Sequence, residues 1–143
     1  MEFKSAGAVL RMLQVMMTEE VFARGLKLYL DEFKERAATP EDLYRNLQTA
    51  IDNELLEQTP NIANFMRTWE LQPGFPVISV TRNGDVIMIQ QERYFTNSLA
   101  GNDASIWSIP LNYIVGSNPD YSETTMDFWM TEKSNHLLSK IFH

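Results

Sequence analysis

Histidine is the natural starting point, because imidazole is the commonest metal ligand and carries protons near neutral pH. The chain has two, His136 and His143. A His-Glu-x-x-His zinc segment needs its histidines four apart on one helical face, with a glutamate between them. Here they stand seven apart in the tail, with no such motif between them. There is no cysteine, which excludes disulfides, thiol nucleophiles and Cys-ligated zinc. No Gly-rich phosphate loop and no Gly-x-Ser-x-Gly elbow occurs, and no Ser/His/Asp set is favoured by spacing. Glu19 and Glu20 resemble an acid pair, but neighbours on a helix point about 100° apart, so they read as a solvated first turn. Trp69, Phe75, Trp107, Phe128 and Trp129 have faces that could stack on sugars or bases. Their periodic positions, or their place at a turn, read as core instead. Gln91-Glu92-Arg93 interrupts an apolar strand and reads as its solvated end rather than as a functional polar row.

Composition narrows the field further. The chain has 143 residues and a net charge of −7, from 12 basic and 19 acidic side chains. That balance disfavours nucleic acid and anionic membrane surfaces, which need a basic footprint. A mean hydropathy of −0.27 and the lack of a long apolar run predict no transmembrane span. The length suits one compact domain or two small lobes. Met1-Glu2-Phe3-Lys4 opens with mixed charge and does not read as a signal peptide.

The elements that would position any site fall into two halves. Val9, Met12, Leu13 and Met16 fall at helical spacing over Ser5 to Met17, and Ala6, Gly7 and Ala8 would allow a neighbour to approach closely. Thr18 is the expected N-cap of a second helix. Its apolar face is Val21, Phe22, Gly25, Leu26, Tyr29, Leu30 and Phe33. Thr39-Pro40-Glu41-Asp42 announces a third helix, with Leu43, Leu47, Ala50, Ile51 and Leu55 inward. Thr59-Pro60 announces a fourth, with Ile62, Phe65, Met66 and Trp69 inward. The two prolines and glycine of Gln72-Pro73-Gly74-Phe75-Pro76 then end helical structure. Beyond them, Val77 to Arg82 and Val86 to Tyr94 read as strands around an Asn83-Gly84 hairpin signal. Ile106 to Val115 reads as a third strand with Pro110 at an edge or bulge. Thr124 to Met130 reads as a fourth, with Met126, Phe128 and Met130 alternating. The tail reads as a fifth strand or a short helix.

With those elements in place, the chain resembles the aminopeptidase N family of zinc metallo-aminopeptidases. The resemblance rests on Met66-Arg67-Thr68-Trp69-Glu70-Leu71-Gln72-Pro73-Gly74-Phe75-Pro76-Val77-Ile78-Ser79-Val80, followed by Gln91-Glu92-Arg93-Tyr94. Upstream, Ala6-Gly7-Ala8-Val9-Leu10-Arg11-Met12-Leu13, Glu20-Val21-Phe22 with Gly25-Leu26 and Tyr29-Leu30, and Thr39-Pro40-Glu41-Asp42-Leu43-Tyr44 resemble the family's helices. Downstream, Trp107-Ser108-Ile109-Pro110-Leu111 and Tyr113 resemble its Trp-x-Ile-Pro-Leu-x-Tyr strand.

The resemblance implies an α+β fold. Residues 1–72 would be the helical end of a thermolysin-like catalytic domain, and 73–143 an incomplete antiparallel β-sandwich. Trp69, Gln72, Gly74, Phe75 and Pro76 would be a structural family marker. The family's zinc motif and its substrate-amine motif would lie upstream of Met1, so this chain would hold no zinc or other cofactor, and alone would be inactive. Phe3 falls in the slot of the family's transition-state-stabilising tyrosine and lacks the hydroxyl. As part of an appended cloning sequence, Met1-Glu2-Phe3 would say nothing of the natural residue. The implied partners are the rest of an aminopeptidase chain and, in the full enzyme, peptide substrates. Self-association through uncovered sheet edges is expected. The family also implies a cell-surface, extracellular setting, and some members serve as docking receptors for toxins or viruses, so a non-catalytic interaction module is the alternative reading.

Overall fold

A computed structural model describes residues 3–54, 60–84, 86–96, 103–113 and 127–138. Among these residues four helices precede five strands in small antiparallel sheets, so the fold is mixed α+β. The chain divides into two compact units, Met1–Arg67 and Thr68–His143.

The first unit contains α1 (Phe3–Met17), α2 (Glu19–Glu32), α3 (Pro40–Asp52) and the first turns of α4 (Ile62–Glu70). On α1 the fully buried row is Val9, Leu13 and Met17, one residue per turn, while Met12 and Met16 are half-buried. Thr18 alone separates α1 from α2, and its hydroxyl accepts the Val21 N–H at 3.5 Å. Its φ of 69° and ψ of 154° lie in a region that β-branched residues avoid, at a cost of roughly 1–3 kcal/mol that the flanking helices must hold.

The close approach expected near Gly7 occurs elsewhere. Gly7 and Ala8 are exposed, and a Cβ on Gly7 would meet nothing within 4 Å. At Gly25 a Cβ would lie 2.8 Å from Leu47 Cδ2 and 3.0 Å from Leu47 Cα. There α2 meets the main chain of α3. Leu30, expected on the apolar face, is 65% exposed. The buried row runs through Val21 and Gly25 toward half-buried Tyr29, and Leu30 points about 100° away from Tyr29.

The start of α3 follows the sequence signal. Thr39 and Asp42 form a reciprocal capping box with Pro40 at the first helical positions. Tyr44, Asn46, Leu47, Ala50 and Ile51 are buried, with Leu43 only half-buried. The Asn46 amide donates to Glu32 Oε2 at 2.8 Å and to the Asp42 carbonyl at 3.0 Å. Arg45 donates to Glu32 at 3.1–3.2 Å and to Asp42 Oδ1 at 2.9 Å, and its guanidinium lies 5.9 Å from the Phe33 ring centre. These contacts fasten the end of α2 to the start of α3.

The fourth helix begins later than its Thr59-Pro60 signal implies. It starts at Ile62, and the Asn61 carboxamide oxygen accepts the Asn64 N–H at 2.8 Å as its cap. Thr59 and Leu55 lie outside the described residues. Gln48 of α3 holds this start, accepting the Ile62 N–H at 2.8 Å and donating to the Pro60 carbonyl at 3.0 Å.

The second unit contains β1 (Pro76–Asn83), β2 (Val86–Arg93), β3 (Ile109–Leu111), β4 (Phe128–Met130) and β5 (Ser134–Leu138). The sheet orders are β1-β2-β5 and β3-β4, all antiparallel. Asn83 pairs with Val86, so the bend falls one residue later than an Asn83-Gly84 turn would put it. The expected third strand shortens to three residues, and the tail forms a strand. Strand positions 114, 115 and 124–126 lie outside the described residues. Ile89, Trp107, Ile109 and Met130 form the buried cluster, with Trp69, Ile78, Ile87, Leu111, Phe128 and Leu137 packed against it.

Two outcomes are expected for the first unit. Gly25→Ala should cost about 1–3 kcal/mol by overpacking against Leu47, read as a lower denaturant midpoint. The Asp42 carboxyl is held down at about 2, first by the Thr39 N–H and then by Arg45 and the Thr39 hydroxyl. Its ordinary value is 3.8. A folded value below the unfolded one means that the contribution is whole above about pH 4 and is lost as pH falls from there toward about 2. Thermal melts taken at descending pH should lose that part of the acid slope in Asp42→Asn.

Candidate functional site

Of the marker residues Trp69, Gln72, Gly74, Phe75 and Pro76, the first two hold one short run of main chain, Ile106-Trp107-Ser108. That run lies just before β3 and has no strand partner among the described residues. Its peptide groups are satisfied by side chains. Gln72 accepts the Ile106 N–H at 2.9 Å and donates to the Ile106 carbonyl at 2.8 Å. Gln91 accepts the Trp107 N–H at 2.8 Å and donates to the Trp107 carbonyl at 2.9 Å. The Thr68 hydroxyl accepts the Ser108 N–H, and the Trp69 indole N–H donates to the Ser108 carbonyl, both at 3.0 Å. A primary amide presents a carbonyl and an N–H side by side, so it can replace a neighbouring strand's peptide.

Sequence position explains who reaches in. Alternation along β2 puts Gln91 on the same face as Ile87 and Ile89. It is 1% exposed, so the solvated-end reading of Gln91 is wrong. Its second donor bond, to the Glu132 carbonyl at 3.0 Å, ties in the turn before β5. Glu92, on the opposite face, is exposed as expected. Trp107 is fully buried, with the Trp69 ring centre 6.4 Å away.

The other marker residues shape the entry into β1. Gly74 has φ +88°, and a Cβ there would lie 2.9 Å from Arg93 Nε. The positive φ calls for glycine. Arg93 pairs with Asp103 at 3.1 Å and lies 5.0 Å from the Phe95 ring centre. The Ser105 hydroxyl and N–H, followed by Arg93, hold the Asp103 carboxyl below its ordinary value. Phe75, expected in the core, is 53% exposed and stacks on Tyr94, with ring centres 4.9 Å apart and planes 13° from parallel. The Tyr94 N–H donates to the Phe75 carbonyl at 2.9 Å. Pro76 opens β1 opposite Arg93.

Beside this assembly, Ile78, Val80, Ile87, Leu111, Phe128 and Leu137 line an apolar groove of about 210 Å³. Among the described residues no group of three or more His, Cys, Asp or Glu is placed to hold a metal ion. His136 is exposed on β5. His143 and the Phe3 side chain lie outside what is described. Among the described residues no helix is long and apolar enough to cross a membrane.

The assembly therefore reads as scaffold. Replacing Gln91 by Leu strips partners from buried groups at Trp107 and from the Glu132 carbonyl, and should cost about 3–5 kcal/mol. Gln91→Glu can donate only when protonated, so its folded pKa should rise above the unfolded value of about 4.3. That variant should be less destabilised near about pH 4 and lose stability as pH rises toward neutral, in thermal melts followed by tryptophan fluorescence.

A family description, "Peptidase family M1 domain", matches residues 1–69. Among relatives, an aminopeptidase N of Plutella xylostella is 29% identical over 90% of this chain and 14% of its own length. A puromycin-sensitive aminopeptidase of Caenorhabditis elegans is 30% identical over 92% of the chain, and the human thyrotropin-releasing hormone-degrading ectoenzyme 32% over 94%, each across 13% of its own length. The chain thus spans about one seventh of the relatives it matches. Alignment over most of its length, through both the helices and the strands, assigns this chain to the aminopeptidase N family of M1 peptidases.

Proposed function

We propose that this chain is a scaffold portion of a zinc-dependent aminopeptidase that removes N-terminal residues from peptides. The observation that carries the reading is the site itself: Trp69, Gln72, Gly74 and Pro76 are engaged in holding main chain and turn geometry. In this reading residues 1–72 are the helical end of a thermolysin-like catalytic domain. Residues 73–143 are the β-sandwich beyond it. The zinc ligands and the substrate-amine site belong to other parts of the enzyme, whose metal-activated water would attack the scissile carbonyl. Phe3 occupies the slot of the family's tyrosine and has no hydroxyl to offer an oxyanion. The word "ectoenzyme" in one relative's name supports an extracellular, cell-surface setting for the whole protein.

The test is metal analysis of the purified chain together with turnover of an aminoacyl chromogenic substrate. Less than stoichiometric zinc and no turnover are expected. Stoichiometric zinc with chelator-sensitive cleavage would overturn the reading.

A second reading, a non-catalytic interaction module, is favoured by the sheet edge. Among the described residues β1 lies at one edge of its sheet, and Val80, at the rim of the groove, is 63% exposed. Self-association through that edge is the form it takes here, with toxin or virus docking the wider possibility the family suggests. Light scattering at rising concentration should show a dimer or larger species that Val80→Glu converts to monomer. A wild-type chain that stays monomeric removes this reading.

A further inference from the structure

We propose that Asn83 is a site of spontaneous covalent modification, in which its side-chain amide is lost through a cyclic imide formed with Gly84, and that Arg82 promotes the step. Asn83 is the one asparagine in the sequence that glycine follows. Reaction at such a pair depends on how freely the Gly84 nitrogen can reach Cγ of Asn83, and on how readily the Gly84 N–H gives up its proton.

The structure favours both. Asn83 and Gly84 are exposed, and a Cβ placed on Gly84 would meet no atom within 4 Å, so there is open space beside the Gly84 α-carbon. Asn83 is the last residue of β1, paired with Val86 at the end of the ladder. Cyclisation requires the Asn83 main chain to leave extended geometry, and the end of a hairpin is where such opening is least costly. Arg82 Nε donates to the Gly84 carbonyl at 3.0 Å, which holds a guanidinium at the turn. A cation there favours the anionic nitrogen and the oxyanion that develops at Cγ.

The step balances without any redox partner. Solvent base removes the Gly84 N–H proton, and the nitrogen attacks Cγ of Asn83, forming a C–N bond. The bond from Cγ to the amide nitrogen breaks, and that nitrogen takes up a proton and leaves as ammonia. Water then opens the ring. Cleavage between Cγ and the Gly84 nitrogen gives aspartate. Cleavage at the main-chain carbonyl gives isoaspartate, with the backbone running through the former side chain. The isoaspartate product adds a methylene and a carboxylate at the final β1–β2 pair, where it disturbs the register as a bulge would.

The test is prolonged incubation of the folded full chain in mildly alkaline buffer, followed by peptide mass mapping and isoaspartyl methyltransferase labelling. A gain of one mass unit should accumulate at Asn83 ahead of every other asparagine, with label at the same peptide. Arg82→Gln should slow the reaction about two- to fivefold, and added salt should shrink that difference. The difference should also vanish in chain unfolded by guanidinium chloride. If Asn83 keeps its amide as long as Asn46 and Asn64, which precede bulky residues, the site is refuted. If Arg82→Gln reacts at the wild-type rate, or slows the unfolded chain equally, the promoting role of the folded turn is refuted.

Discussion

The second unit depends on primary amides used in place of peptide groups. Strand pairing satisfies main-chain donors and acceptors only where two strands run side by side. Between Asp103 and β3 no strand does so among the described residues, yet Trp107 is fully buried there. Gln72 and Gln91 resolve that conflict, each answering both polar groups of one residue. Gln48 makes a similar contact in the first unit at the start of α4. A buried amide left half-bonded is costly. Here both ends of each amide are used, so the arrangement stabilises only when every partner is in place.

The sequence was most legible where chemistry is local. Thr39-Pro40 with Asp42 specifies a helix start through its own side chains, and the structure has that capping box. Thr18 was equally readable as a cap, although nothing local reveals its unfavourable φ, which follows from joining two helices through one residue. Gly25 and Gly7 look alike in sequence. Only the position of α3 makes one of them a contact point and leaves the other in open space.

The marker residues were visible as a pattern, while their work was not. Gln72 contacts a residue thirty-four positions away, a distance no local periodicity spans. Gln91 was different, because a usable signal existed. It shares the inward face with Ile87 and Ile89, and a polar residue on such a face needs buried partners. Reading Gln91-Glu92-Arg93 as one polar block hid the alternation that separates Gln91 from Glu92. Gln48 carried no signal at all, since a glutamine on a helix is ordinary until the next helix start is placed against it.

A main-chain segment gripped by its peptide groups is indifferent to which side chains it carries, except where one is buried. Ile106 and Ser108 are held through N–H and C=O alone, whereas Trp107 is also fixed by its ring. The tolerance for change is therefore distributed in reverse of what a strand sequence suggests. Most residues would serve at 106 and 108, with proline the exception because it lacks the N–H. Positions 72, in the bend after α4, and 91, on β2, admit almost nothing but glutamine: asparagine is one methylene too short, and glutamate lacks the donor.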